Sequence, residues 1–222
     1  MRAMIRFGKQ PRLRFISHLD LQRFFQRALN RTGLPIAYTQ GFNPHPVLSF
    51  GSALALGWTS EYEIIDFKLA VPMGRGRVEQ AMREALPVDL PVLEARMVDD
   101  RHPAPMALVT ASDYVVTLSG EGAADTARAL DEFLARAHVT ATRKTKSGER
   151  EIDIRPLLLS SERADETLRV RLKLTEKETL KPDLLVAALA GIAGVEPPQA
   201  RIHRTCLLGA DEQGALRPLM EL

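Results

Sequence analysis

The chain has a single cysteine among its 222 residues, and this scarcity excludes two kinds of structural site. Cys206 alone cannot form a disulfide within the chain. Structural zinc sites combine several thiolates and imidazoles at short spacing, and the sequence has neither a second cysteine nor histidines at such spacing. The histidines are His18, His45, His102, His138 and His203. We therefore predict no metal site in this chain.

Long apolar runs and aromatic residues are also scarce. No apolar segment approaches the ~20 residues that a membrane-spanning helix requires, and the first residues lack the continuous apolar core of a signal peptide. Aromatic side chains make up 5% of the sequence, so a base-stacking platform would have few members. Together with the single cysteine, these features predict a cytoplasmic protein that makes no membrane contact.

Acidic residues are nearly missing from the first fifty positions. This stretch contains eight arginine and lysine residues and one acid, Asp20, so its formal charge is +7, whereas the whole chain carries +2. A basic segment in a nearly neutral protein is typical of a surface that binds an anionic partner such as nucleic acid or phosphate. The alternative is a basic face that contacts only solvent.

The first hundred residues predict a βαββαβ order of elements. Alternation of apolar and polar residues indicates the strands, and apolar residues at helical spacing indicate the helices. Ser17 stands three residues before Asp20, which is typical of a helix start. Gly33 follows as a helix end. The predicted elements are strands at 2–7, 36–39, 47–50, 61–71 and 92–98 and helices at 18–32 and 78–86.

The same order repeats after a proline-containing segment at 101–111, which we predict to be a linker. Predicted strands lie at 114–118, 139–145, 150–159, 168–175 and 201–208, and helices at 123–137 and 184–192. Each half carries an extra hairpin-like excursion after its first helix. We therefore predict an α+β protein with two tandem ferredoxin-like (βαββαβ) units, at 1–100 and 112–209, followed by a loose tail at 210–222.

The excursion of the first unit is the loop at 38–50, in which two prolines flank His45. Proline fixes its own φ angle and restricts the residue before it, so Asn43 and His45 should both be held extended. A rigid polar loop beside the most basic segment predicts a binding surface. The residues expected to line it are Tyr38, Gln40, Asn43 and His45. Phe42 either stacks on a nucleic-acid base or buries the loop against the protein.

Two sets of cations are candidates for phosphate contacts. Arg23, Arg27 and Arg31 fall on the helix side opposite its apolar stripe, where they either contact phosphates or only solvent. The excursion of the second unit carries the other set, and a basic hairpin of this kind can follow a nucleic-acid groove. Its cations are Arg143, Lys144, Lys146 and Arg150. Interspersed acids at Glu149, Glu151 and Asp153 offer cross-strand pairs that would satisfy those charges locally.

His18 is the sharpest candidate for chemistry. It lies with Asp20 in the first turn of a helix, whose N-terminus favours anions. Three roles remain open for it: a hydrogen bond that ties the helix to the Pro-His-Pro loop, a contact to a ligand, or general-base catalysis on an RNA 2′-hydroxyl. In the last case the catalytic residues would be His18, Asp20 and His45.

Four stretches of the sequence stand out in order. They are Arg-Phe-Ile-Ser-His-Leu-Asp at 14–20, Tyr-Thr-Gln-Gly-Phe-Asn-Pro-His-Pro at 38–46, Leu-Gly at 56–57 followed by Glu-Tyr at 61–62, and Lys-Ser-Gly-Glu-Arg at 146–150 running into Asp-Ile-Arg-Pro at 153–156. In this order they resemble the bacterial radical SAM-linked (radical SAM-associated) protein family, a domain of uncharacterised function. The resemblance covers nearly the whole chain.

Members of that family occur fused behind, or encoded beside, a radical SAM protein. The resemblance therefore implies a partner and supplies no catalytic residues. An iron–sulfur cluster of that type needs three closely spaced thiolates, so the cluster and S-adenosylmethionine would belong to the partner, and this chain would hold no cofactor of its own.

These features predict an accessory module that presents an anionic substrate, most specifically RNA such as tRNA, to a radical SAM enzyme. Two alternatives remain. Tandem ferredoxin-like units with basic faces are similar to CRISPR repeat-processing endoribonucleases, which would make the chain a metal-independent nuclease. The other alternative is a protein–protein adaptor for the radical SAM enzyme. The residues favour binding over catalysis.

Overall fold

Contacts divide the chain into two units, and its C-terminal segment belongs to the first of them. The computed structural model describes the backbone of residues 1–145 and 148–222. The first unit comprises Met1–Val109 and Cys206–Leu222, and the second comprises Thr110–Thr205. The predicted second unit ended at residue 209, whereas the structure assigns the last four residues of that range to the first unit.

The first unit contains β1 (Arg2–Lys9), α1 (His18–Arg31), β2 (Leu48–Phe50), β3 (Thr59–Lys68), α2 (Arg75–Ala85), β4 (Val92–Val98) and α3 (Pro105–Leu108). Its strand order is β4-β1-β3, with β2 paired to β3, and every one of these pairs is antiparallel. The predicted order of strands and helices in this half is confirmed except at 36–39, where isolated bridges of Ile36 to Leu69 and of Tyr38 to Pro46 replace a strand.

One face of this sheet packs against α1 and α2. Ala3, Ile5 and Phe7 alternate along β1 and lie in one core with apolar residues of both helices. The Phe25 ring lies 4.7 Å from that of Phe7 and 5.6 Å from that of Phe50. Full burial of one such ring contributes roughly 1.5–3 kcal/mol. This aromatic cluster therefore fixes α1 over the sheet.

Local side-chain contacts define both ends of α1. The Ser17 hydroxyl oxygen accepts a hydrogen bond from the Asp20 N–H at 3.2 Å and donates to the Asp20 carboxylate at 2.7 Å, as the sequence predicts for a helix start. At the other end the Thr32 hydroxyl donates to the Leu29 carbonyl at 2.6 Å. Gly33 follows with φ +66°, a left-handed conformation that glycine adopts without strain.

The C-terminal segment of the first unit is ordered by contacts with distant strands. It contains β11 (Leu216–Pro218), which pairs with the end of β10 (Gln199–Ala210), and a 3-10 turn at Leu219–Glu221. The Met220 N–H donates to the Tyr62 hydroxyl at 3.3 Å, and Arg96 donates to the Met220 carbonyl at 3.1 Å. Leu219 and Met220 are buried. This arrangement differs from the predicted loose tail, because its partners lie more than a hundred residues away.

The second unit contains β5 (Val109–Ser119), α4 (Ala123–Ala135), β6 (Thr140–Thr145), β7 (Gly148–Asp153), β8 (Leu158–Ala164), β9 (Thr167–Lys173), α5 (Pro182–Ala193) and the first part of β10. Its strand order is β10-β5-β9-β8, while β6 and β7 form a separate two-stranded sheet. The helix α4 packs against α5, and Leu130, Phe133, Leu185 and Leu189 are buried. The chain is thus an α+β protein.

One predicted strand of the second unit is two strands in the structure. The sequence indicates a continuous strand at 150–159, but β7 ends at Asp153 and β8 begins at Leu158, with a 3-10 turn at Arg155–Leu157 between them. Pro156 lies in that turn and has no N–H to donate to a neighbouring strand. The polar end of β8 carries no apolar alternation, so the sequence pattern could not reveal it.

Among the helices of the described residues, none is both long and apolar enough to cross a membrane.

Candidate functional site

The loop at 38–50 closes on itself through hydrogen bonds around His45. The Thr39 N–H donates to the His45 carbonyl at 2.9 Å, and the His45 N–H donates back to the Thr39 hydroxyl at 3.2 Å. The His45 Nδ1 atom lies 3.2 Å from both the Thr39 hydroxyl and the Asn43 carbonyl oxygen. His45 therefore organises the turn through local contacts of its backbone and its ring.

The tip of this loop is exposed and carries an aromatic ring. Residues 40–45 are all exposed, and the Phe42 side chain is as accessible as in an extended peptide. Gly41 next to it has φ +127°, a backbone conformation that a residue with a Cβ rarely adopts. Phe42 does not bury the loop against the protein. Of its two predicted roles, the structure leaves it free to stack on a ligand.

A side-chain hydrogen bond anchors the loop to α1. The Tyr38 hydroxyl donates to the Asn30 side-chain oxygen at 2.6 Å, one turn after Arg27. Asn30 stands twelve residues beyond His18, which corresponds to about 18 Å along a helix. The base of the loop is therefore tied to the C-terminal half of α1, and the last residue of the loop, Phe50, packs on His18.

The exposed side of α1 carries a row of four residues, two of which are arginines. We call Leu19, Arg23, Arg27 and Asn30, which follow one another at helical spacing, the α1 ridge; all four are exposed. Arg23 pairs with the Asp20 carboxylate at 3.3 Å, an exposed i,i+3 contact of little energetic consequence. The predicted third member, Arg31, instead donates to the Ala85 carbonyl of α2 at 3.3 Å. Arg23 and Arg27 are thus the cations that the ridge presents to solvent.

A second exposed surface precedes α1 and was not predicted. The Arg14 guanidinium lies 4.4 Å from the centre of the exposed Phe15 ring. The Gly57 N–H donates to the Arg14 carbonyl at 2.8 Å, which brings the exposed Leu56 to the same segment. We call Phe15, Leu19 and Leu56 the apolar cluster. The sequence indicates this surface only in that Phe15 and Leu19 do not belong to the apolar stripe of α1.

Two buried charges lie beneath the first turn of α1. Lys9 and Glu63 are each 2% exposed. The Lys9 ammonium donates to the Ile16 carbonyl at 2.9 Å and to the Arg14 carbonyl at 3.2 Å, so it holds the backbone that leads into the helix. Burial lowers the pKa of Lys9, and the nearby Glu63 charge raises it. Neither residue stands out in the sequence, because a charged residue within a strand pattern normally faces solvent.

His18 is half-buried above these charges. Its ring packs edge-to-face on Phe50 with the ring centres 5.1 Å apart. Burial lowers the pKa of His18; Glu63 raises it and Lys9 lowers it further. The surroundings of His18 therefore favour the neutral imidazole over the charged form. The ring connects the start of α1 to the end of the loop by packing, rather than through the predicted hydrogen bond to the Pro-His-Pro turn.

The lowered pKa of His18 makes stability depend on pH. Since the unfolded histidine has a pKa of about 6.5, the unfolded state binds more protons than the folded state as pH falls below that value. The contribution of His18 is fully present above pH ~6.5 and is lost on acidification. We expect the loss of unfolding free energy between pH 7.5 and 5.0 in urea titrations to be smaller in His18→Asn than in the unsubstituted protein.

His102 is the natural control for this pH dependence. Burial also lowers its pKa, and Arg96 and Arg2 act in the same direction. We expect His102→Asn to remove a separate part of the acid loss, and the double variant to combine both effects. An identical pH dependence in His18→Asn and the unsubstituted protein would contradict the role of His18.

The basic hairpin of the second unit separates its charges by face. The register of β6 and β7 places Arg143 directly opposite Arg150, whereas Glu149 and Glu151 occupy alternate positions. Directly opposed residues share a face of the sheet and neighbours along a strand alternate, so the arginines and the acids lie on opposite faces. Cross-strand acids therefore do not pair with the two arginines. Lys146 lies outside the described residues, as does the side chain of Lys144.

The third acid of the hairpin has a local structural task. The Asp153 carboxylate lies 2.7 Å from the His138 Nδ1 atom and accepts hydrogen bonds from the Val139 and Arg155 N–H groups at 3.1 and 3.0 Å. The His138 bond, followed by the Val139 bond, lowers the pKa of Asp153. His138 itself is exposed. This histidine–aspartate pair closes the base of the hairpin and was not predicted.

A family of bacterial proteins shares most of this sequence. The family model described as an uncharacterized protein conserved in bacteria (DUF2344) matches residues 2–182. The chain belongs to this family. The matched range includes α1, the loop at 38–50 and the basic hairpin of this DUF2344 chain. No curated protein matches the sequence significantly. Membership of DUF2344 therefore groups the chain with bacterial relatives and assigns it no activity.

Metal-binding side chains are dispersed in the part of this DUF2344 chain that the structure describes. There, no three His, Cys, Asp or Glu side chains come together in a way that could hold a metal ion. In the first unit, the Tyr38 hydrogen bond ties the base of the loop that carries Phe42 to the C-terminal half of α1, where Arg27 is exposed. An exposed cation and an exposed ring are suited to contacts with phosphates and bases.

Proposed function

We propose that the protein is an accessory module that binds RNA, such as tRNA, through its first unit and presents it to a radical SAM partner enzyme in the cytoplasm. The observation that carries the RNA part is the fully exposed Phe42 ring at the tip of a closed loop anchored beside Arg27. The radical SAM partner rests on the resemblance of the four sequence stretches described above.

The exposure of Phe42 favours a ligand with a flat apolar face. Leaving a phenylalanine ring in water forgoes roughly 1.5–3 kcal/mol of burial free energy. The ring therefore adds nothing to the stability of the folded protein, and its burial free energy remains available to a ligand. Aromatic rings that stack on bases of single strands contribute about 1–3 kcal/mol for each base. Since bases within a duplex are already stacked, the expected substrate region is a loop or an unpaired segment of RNA.

The α1 ridge supplies the phosphate contacts in this proposal. Arg23 and Arg27 lie one turn apart on an exposed helix face, and Asn30, one turn further, holds the loop through Tyr38. A strand whose base stacks on Phe42 can run its phosphates along this ridge. Tyr38, Gln40, Asn43 and His45 would then face the nucleotides that flank the stacked base.

Salt dependence tests the phosphate contacts. We expect tRNA affinity to fall steeply with salt, and Arg23→Gln/Arg27→Gln to reduce the slope of log affinity against log salt by about 1.4, since each single-strand phosphate contact contributes about 0.7. Fluorescence anisotropy with labelled tRNA over a salt series measures the slope. Arg163→Gln in the second unit, which removes a cation paired with Asp131 at 3.0 Å, is the matched control and should leave the slope unchanged. An affinity that does not respond to salt would refute the proposal.

We further propose that each unit is ferredoxin-like. The βαββαβ arrangement places the first strand between the third and the fourth and the second strand at the edge. In the first unit β4-β1-β3 with β2 beside β3 follows this order, and in the second unit β10-β5-β9-β8 does so. Both orders support the duplication predicted from the sequence, with the loop at 38–50 and the hairpin β6–β7 as corresponding excursions.

The adaptor alternative has an observation of its own. The apolar cluster of Phe15, Leu19 and Leu56 is exposed in the first unit, and such residues are typical of contacts with another protein. Co-purification with the radical SAM partner that survives nuclease treatment and high salt would favour the adaptor over RNA presentation. The nuclease alternative, with His18, Asp20 and His45 as its residues, stays a prediction.

A further inference from the structure

A cleft of about 390 Å³ opens between the basic hairpin and the start of α5 in the second unit. Arg143 of β6 and Lys181, the residue before α5, contribute cations to its wall, and Leu184 and Ala187 of α5 form an apolar side. Lys181 is exposed and Arg143 is half-buried. The cleft therefore combines positive charge with an apolar surface.

The hairpin beside this cleft opposes two like charges. Arg143 and Arg150 are direct cross-strand neighbours. Like charges directly opposite each other destabilise a sheet, whereas an arginine opposite an acid would stabilise it. The hairpin contains three acids, but all of them lie on the other face. The pairing is thus unfavourable for the hairpin alone and becomes favourable once an anion lies next to both guanidinium groups.

The acidic residue that lines the cleft, Asp183, forms a hydrogen bond within α5. The Asp183 carboxylate accepts a hydrogen bond from the Leu184 N–H at 3.0 Å, within the first turn of α5. Asp183 balances one of the three positive charges of Arg143, Arg150 and Lys181. The cleft and its rim consequently keep a net positive charge.

We propose that this cleft binds a phosphate group carried by a nucleotide. Arg143 and Arg150 donate to the phosphate oxygens, Lys181 supplies a third positive charge, and Leu184 and Ala187 contact the sugar or the base. Guanidinium groups suit this task because their planar N–H groups match two oxygens of one phosphate. The inference concerns the second unit alone, so it does not depend on RNA binding by the α1 ridge.

Charge-neutral variants test the site in the full-length protein. The probes are inorganic phosphate, adenosine 5′-monophosphate and a short oligoribonucleotide with or without a 5′-phosphate, with affinities measured by calorimetry at low salt. We expect Arg143→Gln/Arg150→Gln to weaken binding of adenosine 5′-monophosphate by about tenfold or more. Arg201→Gln removes an exposed cation of the same unit outside the cleft and should change that affinity by less than about twofold.

Thermal unfolding separates loss of the site from loss of the fold. Because the opposed arginines repel each other, the midpoint of the double variant should not fall below that of the unsubstituted protein. Should the double variant fail to fold, Lys181→Gln takes its place with the same expected direction. Unchanged affinity for adenosine 5′-monophosphate in the folded variant overturns the proposal, as does an equal loss in Arg201→Gln.

The oligoribonucleotides identify the source of the phosphate. Tighter binding of the 5′-phosphorylated strand, lost in the double variant, indicates a terminal phosphate. Equal binding of both strands, again lost in the variant, indicates an internal phosphate of the backbone. Both results support the site. Since the variants leave Arg23, Arg27 and Phe42 intact, failure of this inference and failure of RNA binding by the first unit give different results.

Discussion

Lys9→Met is expected to lower the free energy of unfolding of the first unit by about 3 kcal/mol. Methionine matches the length of the buried lysine stem, so the substitution leaves little cavity. What is lost is the ammonium group, which donates to the Arg14 and Ile16 carbonyls and attracts the buried Glu63 carboxylate. Burial opposes the charge of Lys9, but its substitution removes two hydrogen bonds to backbone carbonyls and the attraction to Glu63. The free energy lost with these interactions therefore exceeds the desolvation free energy that is recovered when the charge is removed.

Urea titration followed by tryptophan fluorescence measures this effect. Trp58 is the only tryptophan of the chain and is buried in the first unit, so its signal follows that unit. Lys68→Met is the matched control, because Lys68 is 42% exposed and pairs with Asp100 at 3.2 Å, a contact expected to contribute less than about 1 kcal/mol. Equal destabilisation by the two substitutions would show that Lys9 does not have the structural role assigned to it.

The same substitution has a second readout at His18. The positive charge of Lys9 lowers the pKa of His18. Removal of that charge should raise the pKa of the imidazole, which NMR titration of the histidine ring follows directly. Lys68→Met should leave the His18 titration unchanged.

Phe42→Ala is expected to weaken RNA binding by about 1–3 kcal/mol, or about five- to 150-fold, without a change in stability. The ring makes no buried contact, so the folded protein loses nothing when it is removed. A bound RNA loses the stacking of one base. Because stacking carries no charge, the slope of log affinity against log salt should stay that of the unsubstituted protein, in contrast to the Arg23→Gln/Arg27→Gln variant.

Two further variants make this prediction specific. Phe42→Tyr keeps the aromatic face and should retain affinity within about threefold. Val88→Ala removes another strongly exposed apolar side chain of the first unit and should have no effect on RNA binding. If Phe42→Ala binds single-stranded RNA as tightly as the unsubstituted protein, the ring does not stack on a base and the adaptor alternative becomes the better explanation of its exposure.

Most secondary structure could be predicted because its signals are local. The Ser17 cap, the apolar stripe of α1 and the glycine at 33 are read from neighbouring residues, and the structure confirms each of them. The failures lie where local signals are weak. Residues 160–164 of β8 are polar, and the C-terminal segment packs on Tyr62 and Arg96, which no nearby residue in the sequence indicates.

The candidate site was predicted only in part for a related reason. Residue type and proline spacing were enough to select the loop at 38–50 and the arginines of α1. They could not show whether the Phe42 side chain is buried or exposed, because a residue in a short loop can point toward the protein or toward solvent. The burial of Lys9 and Glu63 could not be predicted from the sequence, because it depends on strands β1 and β3 lying side by side.

By itself, the sequence determined that this is an α+β protein with a basic first segment and a proline-flanked histidine loop. Those properties follow from composition and from patterns within a few residues. Only the tertiary structure decided that Phe42 projects into solvent, that Arg143 opposes Arg150, and that Lys9 and Glu63 are buried under His18. These features depend on strand register and on packing between distant segments, and a linear sequence does not display either.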